Sequence, residues 1–189
     1  MKPLKFKILI FFFLLYSVFA YSQRKNLIVK MKSGDLIEGR GDYTTNGTIK
    51  IKTNRKSPKK ILDLDDVDYF LTLNRKDTTK YKYLEIENKN TKIVLEAIDE
   101  GPISLYYRTS TIQSGGGFGR GEFPTQLDEY FIRNKNERMV NMYIKKLGLK
   151  EKTLKDFSEC DFFKDKLIPV KVSHNELITL VRMYNLNCQ

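Results

Sequence analysis

The chain reads as an α+β protein: an antiparallel β-sheet or partly closed barrel followed by a C-terminal helical segment. Three observations predict this. Apolar and polar residues alternate from Leu27 to about Val140, with turn signals every eight to twelve residues, a spacing that belongs to short antiparallel strands. The period changes after about Asn141. Near the end, Ser173-His174-Asn175-Glu176 forms a capping box ahead of Leu177, Leu180, Val181 and Tyr184, an apolar stripe at helical spacing.

The elements follow in order. Leu27, Val29 and Met31 share one face of a first strand. Ser33-Gly34-Asp35 turns the chain, and Leu36 to Arg40 returns. Asn46-Gly47 marks a tight hairpin, because a type I′ turn needs positive φ at both central residues. Ile49 and Ile51 then face one way and Lys50 and Lys52 the other. Asn54 to Lys60 is a polar turn around Pro58. Ile61, Leu62 and Leu64 lead through an acidic step to a strand near Tyr69 to Leu73.

Lys80 to Glu87 is a further strand whose apolar residues switch face between Tyr83 and Leu84, which predicts a bulge or twist there. Lys92 to Ile98 follows. Gly101-Pro102 turns into a strand in which Ile103, Leu105 and Tyr107 alternate. Ser114 to Gly121 is a glycine-rich loop, after which Leu127 to Arg133 resumes the sheet and Arg138 to Val140 ends it. Thr153 to Lys166 reads as helical, interrupted near Cys160, and Pro169 bars its continuation.

The division that results is a leader over 1–22, a β-rich domain over 23–140 and a helical segment over 141–189 packed on it. The leader has the pattern of a secretory signal peptide. Lys2, Lys5 and Lys7 precede an apolar run from Ile8 to Ala20. Small residues then offer two cleavage sites, after Ala20 or after Ser22. A membrane-spanning helix needs about 20 apolar residues, and this run is shorter. The expected location is therefore the periplasm, cell surface or extracellular space, with no transmembrane span once the leader is removed.

Three lysines leave with the leader, so the net charge of +11 falls to +8. A basic protein invites a nucleic-acid reading, but export argues against it. The surface is also mixed: Arg55, Lys56, Lys59 and Lys60 alternate with the acidic stretch around Asp63, Asp65, Asp66 and Asp68. In an oxidising compartment Cys160 and Cys188 are expected to pair, limiting the unfolded chain by about 3–4 kcal/mol. The alternative is two separate thiols, one of them buried.

No catalytic set emerges. His174 is the single histidine, placed at the first turn of a helix where side chains are exposed. One histidine and two cysteines lack the paired spacing of zinc sites. The run Gly115-Gly116-Gly117-Phe118-Gly119-Arg120-Gly121 has neither dinucleotide nor phosphate-loop spacing. The aspartates at 63, 65, 66 and 68 lack the glycine and distal glutamate of a calcium loop. No metal and no cofactor are expected. The candidate binding residues are Phe118 and Arg120 on the glycine loop, and the paired aromatics Tyr106 and Tyr107.

The order of motifs resembles small exported proteins of unknown function common in Bacteroidota. The resemblance rests on several segments: a leader ending in a small residue before Gln23, Lys32-Ser33-Gly34-Asp35 to Gly39, and Gly101-Pro102-Ile103-Ser104-Leu105-Tyr106-Tyr107. Tyr130-Phe131-Ile132, Cys160, and Tyr184-Asn185 with Cys188 complete it. It implies a β-rich body with a helical tail and carries over no catalytic residue. The expectation is an exported, non-catalytic envelope or periplasmic binding protein whose partner is an envelope protein, a glycan or an anionic surface. The alternatives are a small secreted hydrolase using a carboxylate pair, and a structural envelope protein that self-associates.

Overall fold

The computed structural model describes residues 25–44, 47–74, 77–86, 91–113, 124–134, 140–142, 155, 157–164 and 172–188. Ten strands among them form one antiparallel sheet. They are β1 (Lys25–Met31), β2 (Leu36–Tyr43), β3 (Thr48–Lys52), β4 (Lys60–Asp63), β5 (Val67–Leu73), β6 (Thr78–Ile86), β7 (Thr91–Asp99), β8 (Ile103–Gln113), β9 (Pro124–Asn134) and β10 (Val140–Met142). Their spatial order is β10-β9-β8-β7-β6-β5-β1-β2-β3-β4. The helix α1 (His174–Asn187) follows. The predicted α+β class with a β-rich body is what the chain adopts. The sheet's last strand runs to Met142, just past the expected boundary at 140.

Directly opposed residues on neighbouring strands point to the same face, so the register divides the sheet into two faces. On the first face, Leu27, Val29, Ile49, Ile51, Leu62, Leu64, Val67, Phe70 and Val94 form a core at the β1–β5 end. Farther along that face, Ile103, Leu105, Tyr130 and Ile132 meet Phe157, Phe163, Val172, Leu177 and Val181. Here residues around Cys160 and the apolar stripe of α1 supply the cover. The opposite face carries a third cluster, Ile86, Leu95, Tyr106 and Phe131.

The first core needs the sheet to bend over itself, and β2 makes that bend possible. A Cβ built on Gly39 would lie 2.3 Å from the Lys52 carbonyl oxygen, and one on Gly41 would lie 2.3 Å from that of Lys50. Only glycine lets β3 approach β2 so closely, the use expected of glycine at a tight bend in a barrel corner. The chain leaves β4 through a short 3₁₀ turn, Leu64–Asp66, whose start is capped by Asp63 accepting from the Asp65 N–H. Leu64 donates its own N–H to the Gly47 carbonyl. These contacts return the chain to the core as β5.

The predicted bulge in β6 is absent. β6 and β7 pair without a register shift from Tyr81 opposite Glu96 to Ile86 opposite Thr91. The hydrophobic switch has another cause: β6 passes from one core to another. Tyr81 and Tyr83 pack on the β1–β5 core, whereas Leu84 and Ile86 belong to the cluster on the opposite face. The irregularities lie elsewhere, at Lys30/Met31 between β1 and β5 and at Ala97/Asp99 between β7 and β8.

The capping box at the start of α1 forms as read. The Ser173 side chain accepts from the Glu176 N–H, and the Glu176 carboxylate accepts from the Ser173 N–H. At its other end the helix is held twice. Cys188 is bonded to Cys160, with their Cα atoms 5.7 Å apart. Asn185 accepts from the Ile103 N–H and donates to the Ile103 carbonyl and to Asp99, at 3.0, 2.8 and 2.8 Å. Arg182 adds a contact to the other Asp99 oxygen at 3.2 Å. Around Cys160 the chain makes successive tight turns, Cys160 N–H to the Phe157 carbonyl and Phe163 N–H to the Cys160 carbonyl. The predicted helix breaks near Cys160 as expected, but it does not resume over Asp161–Lys164, which are turns; the rest of its expected span lies outside the described residues.

Two measurements check this account. Gly39→Ala forces the backbones of β2 and β3 apart and is expected to cost about 1–3 kcal/mol in denaturant unfolding. Asn185→Ala leaves both Ile103 backbone groups without their partner and is expected to cost about 2–4 kcal/mol. An unchanged midpoint for either variant contradicts the packing described.

Candidate functional site

The candidate residues separate widely. Tyr106 and Tyr107 are neighbours in β8, so they point to opposite faces. Tyr106 is fully buried, and burial raises its phenol pKa. Its hydroxyl donates to Glu100 at 3.3 Å and accepts from Arg133 at 3.2 Å. Glu100 in turn pairs with Lys80 and, at 2.6 Å, with Lys82. Tyr106 therefore anchors a polar network instead of presenting its ring to a ligand. Tyr107 is half-buried on the helix-covered face and donates to Asp128 at 2.6 Å. Phe118 and Arg120 lie outside the described residues, in the segment joining the β8 and β9 hairpin legs, whose last pair is Gln113 with Pro124.

A groove of about 1030 Å³ opens beside β1 and β2 and is closed by the residues following β3. Arg40 on β2 and Lys52 on β3 are directly opposed. Asn26 on β1 opposes Arg40 from the other side. Arg55 joins them on the groove wall. The short loop that carries Arg55 is rigidified locally: the Asn54 side chain accepts from the Lys56 and Ser57 N–H groups at 3.0 and 2.6 Å. Glu38 also lines the groove, yet Arg40, Lys52 and Arg55 form no ion pair among the described residues. Like charges placed directly opposite across strands are destabilising. Three unpaired cations with amide donors nearby are suited to an anion that supplies several oxygens.

Turn reasoning does not locate this groove: a two-residue turn at Asn46-Gly47 would place Arg40 across from Thr53, whereas the observed register places it across from Lys52. Charge counting alone singled out Arg55 and its neighbours and missed Arg40 and Lys52.

A second assembly lies on the first face. One row of opposed residues runs Ile37, Val29, Phe70, Tyr81, Glu96, Tyr107 and Tyr130. On one side of Glu96, Tyr43, Phe70 and Tyr81 pack ring on ring, with centroids 4.8–5.4 Å apart. On the other side Tyr107, Tyr130 and His174 do the same at 5.1–6.0 Å. The Tyr130 hydroxyl and His174 Nδ1 are hydrogen-bonded, so the exposed histidine is tied to the sheet. Burial pushes the Tyr130 phenol up to about 12, and raises Tyr43 further. Burial also raises the Glu96 carboxyl, against the lowering pull of His174. Glu96 and Asp128 both act on Tyr107, so this is where a carboxylate pair would sit.

The acidic residues near Asp65 are engaged locally. Asp65 pairs with Lys92, and its carbonyl accepts from Lys32 at 2.7 Å. No cluster of three or more potential metal ligands occurs among the described residues. No helix there is long and apolar enough to cross a membrane. No protein-family model, curated protein or solved structure matches the chain.

The Glu100 network gives a pH test. Burial alone would raise this carboxyl, but hydrogen bonds from Lys80 and Lys82 hold it below its ordinary 4.5. A lowered carboxyl contributes stability that is full above pH 4.5 and is lost as pH falls through the folded value. Glu100→Gln should therefore be less stable than the parent at neutral pH, and the gap should close on acidification below the ordinary glutamate range. Thermal unfolding across pH measures this, and a gap that stays constant contradicts the network.

Proposed function

We propose that the mature chain is an exported, non-catalytic binding module that takes an acidic glycan of the envelope in the groove beside β1 and β2. One observation carries this reading: Arg40, Lys52 and Arg55 share the groove with a single carboxylate, Glu38, and form no ion pair among the described residues. A fold that keeps two cations opposed on adjacent strands bears a cost that an anionic ligand relieves. Asn26 and Asn54 lie beside them for hydrogen bonds to sugar hydroxyls or carboxylates. The mature net charge of +8 favours approach to an anionic polymer. The leader and the two cysteines support an exported setting, and the resemblance to small exported Bacteroidota proteins agrees with it.

The hydrolase alternative would use Glu96 and Asp128. Asp128 already accepts from the Tyr107 hydroxyl, and a binding role needs no such pair.

Titration with a sulfated polysaccharide, followed by calorimetry, tests the reading. Binding should weaken with added salt. Arg40→Ala and Arg55→Ala should each lower affinity about tenfold, the effect of one charged hydrogen bond. Equal binding of a neutral polysaccharide, or an Arg40→Ala/Arg55→Ala double variant that binds as well as the parent, refutes it.

A further inference from the structure

The row through Glu96 contains a break. Its two aromatic clusters each close on themselves: Tyr43, Phe70 and Tyr81 on one side, Tyr107, Tyr130 and His174 on the other. Glu96 sits between them, opposed to Tyr81 on β6 and to Tyr107 on β8. It is half-buried, and although the His174 charge acts on it, it makes no hydrogen bond or ion pair among the described residues. A partly desolvated carboxylate without a hydrogen-bonding partner is costly.

The spacing defines a slot. Neighbouring strands lie about 4.8 Å apart, so Tyr81 and Tyr107 rise from positions about 10 Å apart with Glu96 on the floor between them. Subtracting the half-thickness of each facing ring leaves about 6 Å. Both tyrosines are half-buried, so each keeps part of its surface in solvent. The negative ring faces and the floor carboxylate favour the same ligand charge. A ring of one cluster already attracts a cation: Lys25 Nζ lies 5.5 Å from the Tyr43 centroid. Asp128, bonded to Tyr107, adds negative charge at the far wall.

We propose that this slot is a binding site for an organic cation, an ammonium group bearing apolar substituents, with Glu96 as its counter-charge and Tyr81 and Tyr107 as its walls. The ammonium meets the carboxylate at the floor, and its methyl or methylene groups lie against the rings. The site is separate from the basic groove and opposite to it in charge preference. It does not depend on what the groove binds.

Choline is the probe, titrated into the mature chain and followed by calorimetry and by the shifts of the Tyr81 and Tyr107 ring protons. Saturable binding is expected. Glu96→Gln keeps the side-chain shape and should weaken binding at least about tenfold. Tyr107→Leu removes one wall and should also weaken binding. Thermal unfolding of each variant confirms that the fold is intact. Failure of choline to bind at millimolar concentration overturns the proposal, as does equal binding by Glu96→Gln. Glucose binding that persists in Glu96→Gln while choline binding is absent also overturns it, and makes the slot a neutral-sugar subsite.

Discussion

A single sheet of ten strands has two long faces, and one short helix cannot cover even one of them. The rest of the structure depends on how this is solved. At one end the sheet bends, and β2 to β4 fold over β1 and β5. At the other end α1 and the residues around Cys160 cover what the bend leaves open. The bend needs Gly39 and Gly41, because the backbone of β3 occupies the space a Cβ would take. The cover needs Asn185, which satisfies both backbone groups of Ile103 at the start of β8. Remove either device, and apolar surface on the first face meets water.

The binding features arise where these two solutions meet or end. The groove lies at the edge of the bend, where the chain leaving β3 passes beside β2 and brings Arg55 near Arg40 and Lys52. The slot lies between the two covered zones, where Glu96 separates the Tyr43, Phe70 and Tyr81 rings from Tyr107, Tyr130 and His174. One is rich in unpaired cations and the other holds an unpaired carboxylate. They lie on opposite faces of the sheet and on different strands, the groove on β1 to β3 and the slot on β6 to β8. One sheet therefore holds both chemistries without a second domain.

Much of the architecture was legible in the sequence. Alternation located the strands, and the capping box located α1. The two late cysteines gave the one disulfide. Other features were hidden by context. The change of face within β6 read as a bulge, but it records a strand passing between two cores, which a local pattern cannot distinguish. Tyr106 and Tyr107 read as a pair of exposed contacts, and the sheet sends one to each face. Glu96 gave no signal, because its meaning comes from Tyr81 and Tyr107 on neighbouring strands. Their register depends on connections that sequence spacing alone leaves open. Arg40 and Lys52 were hidden for a similar reason, since the two-residue turn read at Asn46-Gly47 is one residue out of the observed register.

The strand order has a consequence for how the chain reaches this state. Every pairing in the sheet joins consecutive strands except one, β1 with β5. The sheet is thus two meanders, β1–β4 and β5–β10, each assembled from neighbours in sequence. Hairpins close quickly because their loops are short, while distant pairings wait for a longer search. The slow step of assembly is concentrated in one seam, where Val29 meets Phe70 and Leu27 meets Thr72. Until that seam closes, each meander exposes an open edge to any other chain nearby. Aggregation during folding is therefore governed by β1 and β5, strands that line the groove only at Asn26, Leu27, Ile28 and Leu73.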